Sequence, residues 1–137
     1  MRWPLSKKPD QQSIPPRDAQ RWTVAQGEYG GAPLVLRVNE AARALVGDPR
    51  FPIKLGFALP LNHPNVGGLP QPQENSLLAG VEDTIVEAVL GAASGLHAMT
   101  LTTGEMTEFV FYIAPGADIR ARHMSVRNSV RSHDVQI

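Results

Sequence analysis

The sequence predicts an α+β domain built on one antiparallel-rich sheet, with two main helices on one face of that sheet. Three observations lead to this prediction. Residues 96–113 contain two strand-like runs around Gly104-Glu105, a pattern typical of a β-hairpin. Residues 53–61 alternate large apolar residues with small or polar ones, which is typical of a strand. Residues 74–93 place apolar residues at three- and four-residue steps, which is typical of an amphipathic helix.

The hairpin of residues 96–113 organises the predicted sheet. Large apolar residues occur on both sides of its second strand, at residues 109–113, and a strand of that kind belongs inside a sheet. Since Gly104 would be the first residue of a two-residue loop, we expect a type II′ turn. The resulting register pairs Thr100 with Phe109 and Ala98 with Phe111.

The N-terminal third of the chain predicts an arm, a hairpin and a short helix. Residues 1–20 hold four prolines and few large apolar residues, which favours a flexible arm. A single domain is therefore assigned to residues 21–137. Alternating residues from Trp22 to Val38, interrupted by a glycine-rich stretch, predict a first hairpin. Asn39 is a candidate N-cap for a helix of about two turns that ends at Gly47.

The C-terminal two thirds predict the remaining elements. A proline- and glycine-rich loop at residues 62–71 separates the strand of residues 53–61 from the main helix. The acidic residues of that helix, among them Glu82, are expected to face solvent. Asp118 is a candidate N-cap for a second long helix, and residues 134–137 predict a last short strand.

From residue 53 onward the predicted order is strand, helix, strand, strand, helix, strand. This is the ferredoxin-like (split βαβ) arrangement, here with an added N-terminal β-hairpin. Right-handed crossovers place the two main helices on one face of the sheet and leave the other face uncovered. That face is too apolar to stand in water alone. We expect either a second copy of the chain or the N-terminal arm, with Trp3, Leu5 and Ile14, to cover it, and we favour a homodimer.

Charge and composition restrict the classes of partner. The chain has 13 basic and 13 acidic residues, yet residues 55–117 contain no Lys or Arg and six acidic residues. Because nucleic-acid binding requires a basic surface, we expect no nucleic-acid partner, and we expect the aromatic residues to pack in the core. The absence of cysteine excludes disulfides and Cys-ligated metal sites. No signal peptide or membrane-spanning run is evident, so a cytoplasmic protein without membrane association is expected.

The sequence contains no recognisable catalytic, cofactor-binding or metal-binding motif. The four histidines are spaced unlike any metal signature, and Gly67-Gly68 lacks the residues of a phosphate-binding loop. If a small-molecule or enzymatic site exists, the long loop is its expected place, together with polar residues of the central hairpin. The candidate residues are Asn62, His63, Asn65, His97 and Tyr112.

Three stretches of the chain, AQGEYGGAPLVLRVN, LGFALPLNHPNVGGLP and TTGEMTEFVFY, resemble a bacterial family known as domain of unknown function 695. The resemblance runs from about Trp22 to the end of the chain. It implies no catalytic residues. Members of that family are sometimes found beside a module similar to ribonuclease E inhibitor B, which implies a regulatory setting.

These observations favour a small non-enzymatic module that binds another protein, or a second copy of itself, over an enzyme. The alternative is a small-molecule-binding or enzymatic domain whose site lies at the 62–71 loop near His97 and Tyr112. The two hypotheses differ in whether the five candidate residues converge on one pocket.

Overall fold

The computed structural model of the protein describes residues 13–137, and this part of the chain forms one sheet with helices packed against it. A single 3₁₀ turn, Arg17–Ala19, precedes the first strand. The strands are β1 (Trp22–Tyr29), β2 (Ala32–Asn39), β3 (Ile53–Pro60), β4 (Gly95–Thr102) and β5 (Met106–Ile113). The helices are α1 (Glu40–Arg43), α2 (Pro72–Leu90) and α3 (Ile119–Ser129). The α+β class predicted from the sequence is confirmed.

The strand order in the sheet is β1-β2-β4-β5-β3, and every neighbouring pair is antiparallel. Since β3 and β4 both pair with β5, these two strands run parallel to each other, and α2 connects them. At the outer side of β3, Ala58 forms an antiparallel bridge with Gln136 near the end of the chain. The second strand of the central hairpin therefore lies inside the sheet, as its apolar residues on both sides predicted.

The main core lies between one face of the sheet and the two long helices. Phe57, Phe109 and Phe111 from the strands are at most 1 % exposed. They belong to the same apolar cluster as Ile85 of α2 and Val126 of α3. Both long helices thus cover the face of the sheet that carries the phenylalanines, because this is where the largest apolar area is removed from water.

A smaller cluster lies on the opposite face, at the end of the sheet where β4 begins. It consists of Leu45, Phe51 and Leu96, and Ile14 packs against it. Residues 1–12 of the predicted arm, with Trp3 and Leu5, lie outside the described residues. Within the described part of the arm, Arg17 forms an ion pair of 2.8 Å with Asp83 of α2.

The remainder of this face is covered by neither long helix, and we call it the open face. Residues directly opposite in an antiparallel pair share a face, and the register places Leu36 beside Leu101 and Val38 beside Met99. These four side chains are half-buried, and Tyr112 is 39 % exposed. The open face consists of Leu34, Leu36, Val38, Met99, Leu101 and Tyr112 around Val110, which its neighbours bury to 1 % exposure, with Lys54 and Glu108 beside them.

The predicted register of the central hairpin is right near the turn and wrong farther along. Thr100 pairs with Phe109, but a β-bulge between His97 and Met99 makes His97 the partner of Phe111. Ala98, which had been assigned to that place, is the extra residue of the bulge. One extra residue reverses the faces of those beyond it, so the imidazole points into the helix-covered core.

The predicted type II′ turn is also wrong, because Gly104 does not have the positive φ that this turn requires. A Cβ atom at Gly104 would overlap the carbonyl oxygen of Asn65 and lie 2.6 Å from that of Gly68. The glycine is needed because the backbone of the long loop packs directly on the turn. The turn is closed by Thr103, whose hydroxyl accepts hydrogen bonds from the amides of Glu105 and Met106.

Burial of the aromatic residues differs from the prediction. Phe57 is fully buried, whereas Tyr29 at the end of β1 is 81 % exposed. Neither long helix covers β1, so most of this strand is exposed on both faces. Core packing therefore accounts for Phe57 and does not account for Tyr29 or Tyr112.

Candidate functional site

The structure does not bring the five candidate residues into one pocket. His97 points toward α2 on the helix-covered face, while Tyr112 lies on the open face, because Tyr112 pairs with Leu96 and not with His97. Asn65 packs against the turn at Gly104, seven residues along the strand direction from His97. At about 3.3 Å per residue, and with Ala98 adding no length because of the bulge, these two positions are at most about 20 Å apart.

The long loop is held by its own polar groups. The amide of Asn65 donates to the carbonyl of Gly104 at 2.6 Å, and the amide of Leu61 donates to the carbonyl of Glu105 at 2.9 Å. The Asn65 side chain donates to the carbonyl of Leu69, and the Asn62 side chain donates to that of Ser132. His63 is exposed. The two asparagine side chains therefore serve the conformation of the loop.

Glu74, at the start of α2, fastens the loop to the helix and to the C-terminal segment. Its carboxylate is 3 % exposed and accepts hydrogen bonds from the amides of Asn62 and His63. Nε2 of His133 lies 2.7 Å from the same carboxylate. Burial alone would raise the pKa of Glu74, but the hydrogen bonds from Asn62, His133 and His63 outweigh burial and hold that pKa below its ordinary value.

A groove runs along α2 on the helix-covered face, between this helix and the strands β2 and β4. We call it the α2 groove. Its main cavity has a volume of about 300 Å³. The floor contains the hydroxyls of Thr100, Thr102 and Thr107, and Leu69 and Pro70 of the long loop form one end. On the helix side the cavity is lined by Asn75, Leu78, Ala79 and Glu82.

An ion pair crosses the α2 groove at its other end. Nη1 of Arg37 lies 2.8 Å from Oε1 of Glu82, and the Glu82 side chain is only 15 % exposed. The prediction that Glu82 faces solvent is wrong for this reason. The guanidinium of Arg37 also lies over the ring of Trp22, 4.9 Å from its centroid. Beyond the ion pair a second cavity of about 190 Å³ continues along the helix.

His97 lies at the floor of this second cavity, among aromatic rings. Its imidazole stacks on Phe111 with a centroid distance of 4.9 Å, and Trp22 lies at the same distance on a tilted plane. Nε2 is 3.0 Å from the hydroxyl of Thr100. Burial lowers the pKa of His97 to about 4, and the positive charge of Arg37 acts in the same direction. The imidazole is therefore neutral at physiological pH.

Sequence patterns missed the α2 groove because its charged residues are 45 positions apart along the chain. The sequence pattern predicts Arg37 as an ordinary polar residue of an alternating strand, and it predicts Glu82 as a solvent-exposed residue of a helix. The threonines of the floor occur at the alternating positions of a strand, where threonine is common. Their sequence pattern therefore does not mark them as residues of a binding site.

Within residues 13–137, no three His, Asp or Glu side chains are placed to hold one metal ion. None of the helices found there is long and apolar enough to cross a membrane.

The comparison with protein families decides what the chain belongs to. A model described as "Family of unknown function (DUF695)" matches residues 20–136. The chain is a member of DUF695. This confirms the family that the three sequence stretches predicted. The residues matched by the DUF695 model include the five strands and the helices α1, α2 and α3 described above. Among curated proteins and solved structures, none matches this DUF695 chain.

Proposed function

We propose that this DUF695 protein is a non-enzymatic binding module that acts through the open face of its sheet, and that a second copy of the chain binds there. The observation that supports this proposal is the position of α2 and α3, which both pack on the phenylalanine side. Apolar side chains of β2, β4 and β5 are left together on the other side. Exposed apolar patches of this kind mark interaction surfaces.

The size of the open face suits a twofold dimer. Five strands spaced by about 4.8 Å and eight residues of about 3.3 Å give a surface of about 24 by 26 Å. Because the cluster of Leu45, Phe51 and Leu96 occupies one end of this surface, two copies facing each other would remove at most about 1,200 Å² from water, which is the lower end of the standard interface size. A twofold axis is the commonest symmetry of soluble oligomers.

Charge on the open face is also compatible with a second copy. Lys54 of β3 is opposite Tyr112, and Glu108 of β5 is opposite Leu101, so the two charges lie on this face at different heights. A twofold axis that runs across the strands at the level of Val110 would reverse the strand direction and bring Lys54 of one copy toward Glu108 of the other. Such a pair contributes to the orientation of partners more than to affinity.

The direct test is the mass of the full chain by light scattering after size exclusion, at tens of micromolar. We expect the mass of a dimer for the native chain. Leu36→Lys places a charge among the apolar side chains of the open face, beside Leu101, and should give a monomer. Val24→Lys is the matched control, since Val24 is a 62 % exposed valine on the other face of the same hairpin, and should remain a dimer.

A monomeric native chain would contradict the proposal, and a dimer that persists in Leu36→Lys would place the interface elsewhere. The alternative of a ligand site at the 62–71 loop has less support, because the asparagine side chains of the loop bond within the protein. No observation favours a catalytic function there.

We infer further that the architecture is ferredoxin-like, with β1 and β2 as an added hairpin. Two facts support this inference: α2 joins the parallel strands β3 and β4 on either side of β5, and Gln136 pairs outside β3. The regulatory role that the family resemblance implies is part of this proposal. An experimental structure with the C-terminal segment next to another strand would contradict the assignment.

A further inference from the structure

The α2 groove has features of a ligand site that are independent of the open face. The groove lies on the opposite side of the sheet, and its two cavities meet at the Arg37–Glu82 ion pair. Both charged side chains line both cavities. A molecule that enters either cavity therefore meets one positive and one negative group at the same place.

The two charged groups select the chemistry of a ligand. In the described part of the chain Arg37 gives one hydrogen bond, from Nη1 to Glu82, and the guanidinium has five N–H donors in all. It can therefore accommodate a carboxylate beside its present partner. A ligand with a carboxylate alone would be repelled by Glu82, and a ligand with an ammonium alone would be repelled by Arg37. A zwitterion satisfies both groups.

The remaining walls restrict the size and polarity of such a zwitterion. Leu69, Pro70 and Leu78 make one side of the main cavity apolar. A volume of about 300 Å³ is at the lower end of the range of ligand pockets, about 300–1,000 Å³, so the space suits a molecule no larger than about one amino acid.

The threonine floor adds polar partners for the charged end of the ligand. Thr100 pairs with Arg37 across β2 and β4, so both side chains lie on the same face of the sheet, and the Thr100 hydroxyl lies 3.0 Å from Nε2 of His97. The hydroxyls of Thr102 and Thr107 lie 2.6 Å apart and bond to each other. Thr107 also donates to the carbonyl of Leu101 at 3.4 Å. Since each hydroxyl has one donor and two acceptor positions, the capacity left to this pair is to accept, which suits the ammonium group of a ligand.

We propose that the α2 groove binds a free α-amino acid with an apolar side chain. The ligand carboxylate lies against Arg37, its ammonium group against Glu82, and its side chain between the long loop and α2. The juxtaposition of an ion pair with a threonine floor and apolar walls is the observation that carries the proposal.

The experiment is an NMR titration of the full chain, with threonine and leucine methyl groups labelled, and L-leucine as the probe. We expect saturable shifts at millimolar leucine, centred on Thr100, Thr102, Thr107 and Leu78. Two analogues each remove one charge: 4-methylpentanoate lacks the ammonium group, and 3-methylbutylamine lacks the carboxylate. Each should bind at least about tenfold more weakly, since each loses a charge-assisted contact.

Substitutions distinguish leucine binding in the α2 groove from unspecific binding elsewhere on the protein surface. Arg37→Gln and Glu82→Gln should each weaken leucine binding by at least about tenfold. Glu87→Gln, at an exposed position of the same helix, is the matched control and should bind as the native chain does. The comparison between leucine and its two analogues uses the native chain alone, so it stands even if a variant fails to fold.

Three results would overturn the proposal. The first is a native chain without saturable shifts in the groove. The second is equal binding of leucine and either single-charge analogue, because the site would then recognise only one of the two charged groups of leucine. The third is undiminished binding by both groove variants. None of these results bears on the dimer, whose mass is measured without ligand.

Discussion

His97 is the residue whose titration should govern stability in mildly acidic solution. Its pKa is about 4 in the folded protein against an ordinary value of 6.5, so the unfolded chain takes up a proton between these values and the folded chain does not. The free energy of unfolding should therefore fall as the pH drops from 6.5 toward 4. From pH 7 to pH 5 we expect a loss of about 2 kcal/mol in urea denaturation.

His97→Gln removes the titrating group and should make the free energy of unfolding nearly constant over the same pH range. The measurement compares slopes against pH, so any constant cost of the substitution does not enter. His63→Gln is the matched control, because His63 is exposed, and it should keep the native slope. An equal loss of stability in His97→Gln would show that another group is responsible.

The position of His97 also shows what sequence reasoning missed at the scale of single residues. The alternation of residues 96–113 predicted the hairpin and its register near the turn, because the pattern repeats locally. The bulge at Ala98 has no local cause. The inward position of His97 is stabilised by Asn39, whose side-chain amide donates to the carbonyl of His97 at 2.8 Å, and Asn39 is 58 residues away.

At the scale of elements, the contact between the long loop and the central hairpin depends on Gly104. In Gly104→Ala the new methyl group would meet the carbonyl oxygens of Asn65 and Gly68, which are fixed backbone atoms. We expect a destabilisation of about 1–3 kcal/mol in urea denaturation, as for other overpacked sites. If Gly104→Ala has native stability, the loop does not pack on the turn as described.

Gly80→Ala is the matched control for that substitution. Gly80 lies in the interior of α2, and a Cβ atom there would meet nothing within 4 Å. Because alanine favours a helix by about 1 kcal/mol over glycine, this variant should be more stable than the native chain. The opposite signs of the two changes would separate close packing from helix propensity.

Glu74 of α2 contacts both the long loop and the C-terminal segment, so its substitution should weaken the contacts among these three parts of the chain. The amides of Asn62 and His63 donate to different oxygens of the carboxylate, and Glu74→Gln replaces one of these oxygens by an NH₂ group, so one of the two amides loses its acceptor. A buried donor without a partner costs about 1–3 kcal/mol, so we expect a loss of that size at pH 7. Amide hydrogen exchange at Asn62 and His63 should become faster, while Glu87→Gln at an exposed site of α2 should leave both quantities unchanged.

The contribution of Glu74 to stability depends on pH over a more acidic range than that of His97. Its pKa is below the ordinary 4.5 in the folded protein, so its contribution is complete above about pH 4.5 and disappears as the pH falls through the folded value. Glu74→Gln should remove this acid-side dependence and leave the dependence between pH 6.5 and 5 in place. Acid dependence that is the same in both proteins would contradict the assigned role.

Most elements were accessible from sequence because each is specified by a short-range pattern. The exceptions are α1, which ends at Arg43 and not at Gly47, and the predicted strand of residues 134–137, which forms only the bridge at Gln136. Asp118 caps α3 as predicted, with its carboxylate accepting from the amide of Ala121, and Asn39 caps α1. The α2 groove was not accessible, since it arises where a helix and a strand that are distant in the chain leave space between them. Arg37 and Glu82 are brought into contact only by the order of the strands in the sheet, which places β2 next to β4 and within reach of α2.

At the scale of the whole molecule, association through the open face would link stability to concentration. A partner that binds only the folded chain raises the melting temperature by mass action. For a dimer, a hundredfold rise in concentration adds about 1.4 kcal/mol per chain, which corresponds to about 4 °C for a domain of this size. We therefore expect the native chain to melt about 4 °C higher at the higher concentration, measured by calorimetry.

Leu36→Lys should lose this dependence, and Val24→Lys should keep it. The comparison tests the open face even if the charge at position 36 also lowers stability, because each variant is compared with itself at two concentrations. A melting temperature of the native chain that does not change with concentration would mean that the apolar residues of β2 and β4 are covered within one chain. The N-terminal arm would then be the remaining candidate for that cover, since Ile14 already packs at the end of the same face.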